Sequence, residues 1–134
     1  MIGYVMIGTN DLDRGARFYD ALLAPLGLVQ VERVQTYAAY APKAAKDAIE
    51  FYVTRPFDQA PATPGNGTMI ALSAPTMQAL EQFHRLGLQN GGSDEGAPGP
   101  REEGSSICYA YIRDADGNKI CAFYDGAKGQ AADE

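Results

Sequence analysis

Apolar positions change their period along the chain, and the changes mark out elements. Ile2 to Gly8 is a short β-prone run. Thr9-Asn10-Asp11-Leu12-Asp13 follows it, with an N-cap oxygen at Asn10 and an acid three residues later. A helix is predicted to start there. Apolar side chains at Leu12, Ala16, Tyr19, Leu22, Leu23 and Leu26 keep helical spacing until Pro25 and Gly27 end the element, and Gly15 costs it roughly 1 kcal/mol relative to Ala. Strand-like runs come next at Leu28–Arg33, Val34–Ala41 and Ala48–Thr54, broken by Pro42 and the polar stretch from Lys43 to Asp47. The order is β-α-β-β-β.

Residues Arg55 to Gly67 hold Pro56, Pro61, Pro64, Gly65 and Gly67, too many breakers for an element, so a long surface connection is predicted. Beyond it the pattern repeats. Thr68–Ala74 reads as a strand and Pro75–Gln89 as a helix, with Met77, Leu80, Phe83 and Leu86 inward. Gly91–Gly104 reads as a loop with at most a short edge strand. Ser105–Arg113 and Asn118–Tyr124 form a hairpin around Asp114-Ala115-Asp116-Gly117. With an offset of 65 residues, Tyr4, Val5, Ile7, Leu12 and Phe18 fall on Met69, Ile70, Leu72, Met77 and Phe83. Ile49-Glu50-Phe51-Tyr52 lies similarly against Ile120-Cys121-Ala122-Phe123. One domain of two modules is expected, roughly 1–60 and 67–125, with a frayed tail at 126–134.

Composition narrows the function classes. A chain of 134 residues suits one domain, and no window approaches the apolar length of a membrane span. No basic n-region or cleavage site follows Met1, so a soluble, cytoplasmic protein is the expectation. Eleven Lys and Arg against seventeen Asp and Glu leave a net charge of −6, which repels phosphate backbones and makes nucleic acid a poor partner. Cys108 and Cys121 sit on the two arms of the final hairpin and read as free thiols packed like small hydrophobes.

Several segments, in this order and spacing, resemble the glyoxalase, bleomycin-resistance and extradiol-dioxygenase superfamily from Met1 to about Tyr124. They are Ile2–Gly8 with Asn10-Asp11-Leu12-Asp13-Arg14 and Phe18-Tyr19, then Leu23–Leu28, Arg55-Pro56-Phe57-Asp58, Pro64–Thr68 and Arg113–Ile120. The resemblance implies an α+β fold of two βαβββ modules forming a curved mixed sheet, with a concave cavity and helices on its convex side. Side chains alternate across a strand, so each face can be listed from sequence. Val5, Ile7, Ile49, Phe51, Ile70, Leu72, Ile120 and Ala122 are expected under the helices. Tyr4, Met6, Glu50, Tyr52, Met69, Ala71, Cys121 and Phe123 are expected to face the cavity.

Metal-dependent relatives place about four His or Glu ligands on four strands, and the matching positions here are Tyr4, Glu50, Met69 and Cys121. Of these, Glu50 alone is a normal ligand for a Mg, Mn, Fe or Ni site. Cys121 and Glu50 together fall short of the three protein ligands zinc usually takes. No cofactor is therefore expected, the alternative being a divalent metal bound atypically. The single histidine, His84, falls on the second helix and is expected to be partly exposed, which leaves Ser-His-Asp and Cys-His chemistry without an imidazole.

What remains is a cavity of aromatic and sulfur-bearing walls with one carboxylate, whose charged form burial would disfavour. Glu50 could serve as a general base or polar anchor, or could merely accept hydrogen bonds from the phenols of Tyr4 or Tyr52. Pro64-Gly65-Asn66-Gly67 precedes a strand and reads as a turn rather than a phosphate loop. Arg101 could meet an anionic substrate beside Glu102 and Glu103, although a solvated charge cluster is the plainer reading. The leading expectation is metal-independent binding of a small molecule, as in drug-sequestering members of the family. The rivals are a lyase or isomerase using Glu50, and a degenerate subunit that pairs with an active partner. A homodimer is implied by resemblance.

Overall fold

The computed structural model describes residues 1–128. Each half of the chain lays a helix across one face of a four-stranded sheet. The first half runs β1 (Val5–Gly8), α1 (Leu12–Leu23), a 3-10 turn (Ala24–Leu26), β2 (Leu28–Arg33), β3 (Tyr37–Pro42) and β4 (Phe51–Thr54). The second runs β5 (Ile70–Ser73), α2 (Met77–Gln89), β6 (Ser93–Pro100), β7 (Ile107–Arg113) and β8 (Lys119–Asp125). Strand order is β1-β4-β3-β2 in one sheet and β5-β8-β7-β6 in the other. In each, the first and last strands of the module pair in parallel and the other neighbours are antiparallel. The βαβββ class is as expected. The ladders, however, divide into two separate four-stranded sheets where one curved sheet was anticipated.

Local chemistry explains the boundaries. The first helix is capped by Asp11, one residue later than the sequence pattern indicates, and the Asp11 carboxylate accepts the Arg14 backbone N–H at 3.1 Å. Thr76 caps α2 in the same way, accepting the Ala79 N–H at 3.0 Å. Pro25 is accommodated in the first positions of the 3-10 turn, where its missing N–H costs nothing. Gly27 then takes the left-handed conformation, φ 84°, that closes this end and releases the chain into β2. β3 starts at Tyr37 rather than Val34, because Val34 donates its N–H to the Tyr37 carbonyl in a tight reversal.

The main departure from the sequence reading is β6, eight residues where a loop was expected. Ser93-Asp94-Glu95-Gly96-Ala97-Pro98-Gly99-Pro100 has poor strand propensity. It lies at the sheet edge, and its register on β7 shifts between Asp94 and Gly96 and again between Gly96 and Gly99. Bulges on an edge strand are where Gly and Pro are tolerated.

One continuous core holds both halves. The inner face of the first sheet gives Ile7, Phe51 and Val53, and that of the second gives Ile120, Ala122 and Ile112. Both helices fill in with Leu12, Phe18, Tyr19, Leu22, Leu80 and Phe83, and α1 packs against α2. Val5, Ile70 and Leu72 border this cluster as the alternation predicts, while Ile49 lies outside it.

A polar clasp reinforces the join. The β7–β8 turn carries Asp114, whose carboxylate accepts the Tyr19 hydroxyl at 2.6 Å, and Asp116, which accepts the Thr9 hydroxyl at 2.6 Å and the Asn10 N–H at 3.0 Å. Arg14 donates to Asp116 at 2.9 Å, and the Asn118 amide donates to the Gly8 carbonyl at 2.8 Å. The expected frayed tail falls largely on residues 129–134, outside the described residues, and β8 itself runs through Asp125.

Candidate functional site

The strand pleat turns Met6 and Tyr52 away from the first helix, and they are register partners on β1 and β4. Tyr4 packs edge-on against Tyr52 with ring centroids 5.0 Å apart, and Tyr37 does the same from β3 at 5.4 Å. These four residues form an aromatic and thioether surface open to solvent, with Tyr4 58% and Met6 52% exposed. The Tyr37 hydroxyl donates to the Glu32 carboxylate, which pushes the phenol's pKa up.

Beside this surface lies a solvent-open cleft of about 930 Å³. Its walls include Met6, Tyr37, Thr54, Arg55 and Phe57, drawn from β1, from the start of β3 and from the connection that leaves β4. Asn10 holds that connection in place: its side chain donates to the Ala62 carbonyl at 3.1 Å and accepts the Ala62 N–H at 2.7 Å. Of the residues expected to line a cavity, Met6 is in this wall. Tyr37, Thr54, Arg55 and Phe57 were not foreseen: Tyr37 and Thr54 are register partners at strand ends whose alternation was not followed that far, and Arg55 and Phe57 lie on a loop, which leaves no periodic signal.

Glu50 departs from its expected setting. The regular strand begins at Phe51, and Glu50 stands before it with an exposed side chain. Its backbone carbonyl accepts the Val5 N–H at 3.0 Å and its N–H donates to the Tyr40 carbonyl at 3.0 Å. The burial invoked for its carboxylate is thus missing, and neither Tyr4 nor Tyr52 donates to it among the described hydrogen bonds.

Met69, Cys121 and Phe123 belong to the second half. Met69 precedes β5 and is 43% exposed, while Cys121 pairs with Ala71 on one side and Tyr111 on the other. Cys121 is fully buried, and burial pushes its thiol up to about 11, with the charges of Lys119 and Arg101 acting in the opposite direction. Phe123 stands opposite Tyr109, ring centroids 6.2 Å apart. Tyr109 and Tyr111 were missed by the sequence reading, although their spacing of two and their register against Phe123 and Cys121 place them on this face. Cys108 is also a free thiol, partly buried on β7.

The four family ligand positions therefore split between the halves, Tyr4 and Glu50 with the first sheet and Met69 and Cys121 with the second. Among the described residues no three His, Cys, Asp or Glu side chains come together as a metal-binding group. A phenol, a thioether and a thiol held protonated near neutral pH are poor donors for a divalent ion of the His and Glu type. The donor set does not fit that metal.

His84 is mostly buried rather than partly exposed. Its Nε2 lies 2.8 Å from the Asp94 carboxylate on β6, and this bond holds the Asp94 pKa below its usual value. Pro64–Gly67 forms a turn closed by the Thr68 N–H on the Gly65 carbonyl at 3.1 Å, and Arg101, Glu102 and Glu103 are exposed between β6 and β7. Neither helix is long and apolar enough to cross a membrane.

Comparison with known proteins agrees with this architecture. The family model described as Glyoxalase/Bleomycin resistance protein/Dioxygenase superfamily matches residues 1–122. A glyoxalase/bleomycin resistance protein of Albidiferax ferrireducens T118 is 38% identical, with a TM-score of 0.80, over 91% of this chain and 96% of that one. A glyoxalase-related enzyme from Fulvimarina pelagi shares the fold at 18% identity, with a TM-score of 0.69 over 92% and 87% of the two chains. The E144Q mutant of glyoxalase I from Zea mays shares it at 19% identity and a TM-score of 0.66, over 96% of this chain and 47% of the maize one. No curated protein matches.

Proposed function

This chain belongs to the Glyoxalase/Bleomycin resistance protein/Dioxygenase superfamily, and on that premise we propose that it binds a small molecule without the help of a metal, by sequestration rather than turnover. The observation that carries this reading is the cavity of about 930 Å³ beside a solvent-open wall of Met6, Tyr37 and Tyr52, a volume suited to a drug-sized ligand. Aromatic faces and thioethers supply adaptable contact area for a planar or amphipathic molecule. Of the remaining predicted residues, Tyr4, Met69 and Phe123 are assigned to the same binding function on the two outward faces, while Cys121, fully buried, has no surface to offer a ligand.

Glu50 as a general base has less support. An exposed carboxylate without a described hydrogen-bond partner has nothing to orient it toward a substrate proton. The protein is taken to act in the cytoplasm as a homodimer, in keeping with exposed Tyr4, Met6 and Met69.

Native mass spectrometry of freshly purified protein tests the proposal. The expected spectrum shows a dimer without stoichiometric divalent metal and with a retained small molecule, unchanged in Glu50→Gln. Near-stoichiometric metal that Glu50→Ala removes would overturn it.

A further inference from the structure

The outward face of the second sheet has a chemistry of its own. The antiparallel register sets Tyr109 opposite Phe123, Tyr111 opposite Cys121 and Arg113 opposite Lys119, so one column of side chains runs along β7 and β8. The rings of Tyr109 and Tyr111 are nearly parallel, 9° apart in plane with centroids 6.1 Å apart, and Phe123 extends the same aromatic surface. Lys119 holds its ammonium 5.3 Å from the centre of the Tyr111 ring.

Arg113 is engaged, donating to Glu95 and to the Gly117 carbonyl. Lys119 makes no salt bridge among the described residues, whose ion pairs involve other cations. Its ammonium therefore stands free of a carboxylate beside a run of aromatic surface, in a chain of net charge −6. Such a protein repels anions at long range, so an anion held there depends on local contacts. Phenol faces are themselves electron-rich and favour cations. A cation already seated at Tyr111 offsets that preference and leaves an acceptor group on the ligand as its natural counterpart.

We infer that the β7–β8 face selects a planar aromatic anion, its ring laid against Tyr109, Tyr111 and Phe123 and its carboxylate or related group held by Lys119. This deepens the small-molecule reading above and rests on it.

The experiment titrates the full chain with naphthoate and with neutral naphthalenemethanol by calorimetry, and maps both by amide chemical-shift changes. Naphthoate is expected to bind about four-fold more tightly, the scale of one partly exposed charge contact. Its shifts are expected to centre on Tyr109, Tyr111 and Phe123. In the Lys119→Gln variant the preference should vanish, to within about 1.5-fold, with circular dichroism unchanged. Equal affinity of the two probes for the unaltered chain, or a preference that survives Lys119→Gln, overturns the anion selectivity while leaving small-molecule binding in place. If neither probe binds although native mass spectrometry finds another retained molecule, this inference falls alone.

Discussion

The clasp between the halves allows a quantitative test centred on Asp114. The Tyr19 hydroxyl lies in a fully buried side chain of α1 and donates to Asp114 at 2.6 Å. The same carboxylate accepts the backbone N–H groups of Asp116 and Asn118 and the Asn118 amide, each at 2.9 Å. Removing Tyr19's hydroxyl forfeits one bond to a charged group, about 2 kcal/mol, and leaves the carboxylate three donors. Asp114→Ala does more. It strands a buried hydroxyl and loosens the turn that presents Asp116 to Thr9, Asn10 and Arg14, for a loss of about 4 kcal/mol. In the double variant the stranded hydroxyl is gone, so the two losses should not add. A cycle of Tyr19→Phe and Asp114→Ala, read by urea unfolding, is expected to give a coupling of about 2 kcal/mol. Additivity to within about 0.5 kcal/mol would refute the bond as a joint between the halves.

Buried tyrosines make two further predictions with the buried thiol. Burial, then the carboxylates of Asp114 and Asp20, push the phenols of Tyr19 and Tyr40 up in the folded state. The unfolded chain thus releases these protons first, near pH 10, so the phenols' contribution to stability is level below that pH and falls above it, by up to about 1.4 kcal/mol per pH unit for each phenol. Urea titrations on either side of about pH 10 should show this slope, and Tyr40→Phe should remove one phenol's share of it; an unchanged slope in that variant contradicts the assignment. For Cys121, a thiol pushed up to about 11 by burial leaves roughly one-thousandth as thiolate at about pH 8. Iodoacetamide mapped by peptide mass spectrometry is expected to label Cys108 first and Cys121 at least about 100-fold more slowly than a free cysteine. Early labelling of Cys121 would show that its burial is wrongly described.

The pleat made much of the fold legible, and its limits explain what was not. Alternation placed Ile7, Phe51, Ile120 and Ala122 on the inner faces, where each is packed in the core. What failed at Glu50 is the burial argued for its carboxylate: its backbone is bonded to the strands on both sides, but the face of Tyr4 and Met6 beside it is open to solvent. The exposed setting of His84 failed for another reason. Its partner Asp94 lies on β6, an edge strand written in glycine and proline that has no hydrophobic alternation to reveal it. Tyr109 and Tyr111 needed only the alternation already used for their partner strand.

The cavity wall behaves differently from all of these. Arg55 and Phe57 follow β4 on a connection whose path depends on Asn10 gripping Ala62, a contact separated by 52 residues. Strand faces follow from the backbone's own geometry, whereas a loop's position follows from whichever polar groups it must satisfy when it lies against the fold. Asn10 is also linked to Asp116 through its backbone N–H. The β7–β8 turn of the second half and the loop that walls the cavity of the first therefore hang on the backbone and the side chain of one residue. A change that loosens the turn reaches the cavity wall through Thr9 and Asn10, which bond Asp116 and themselves line it.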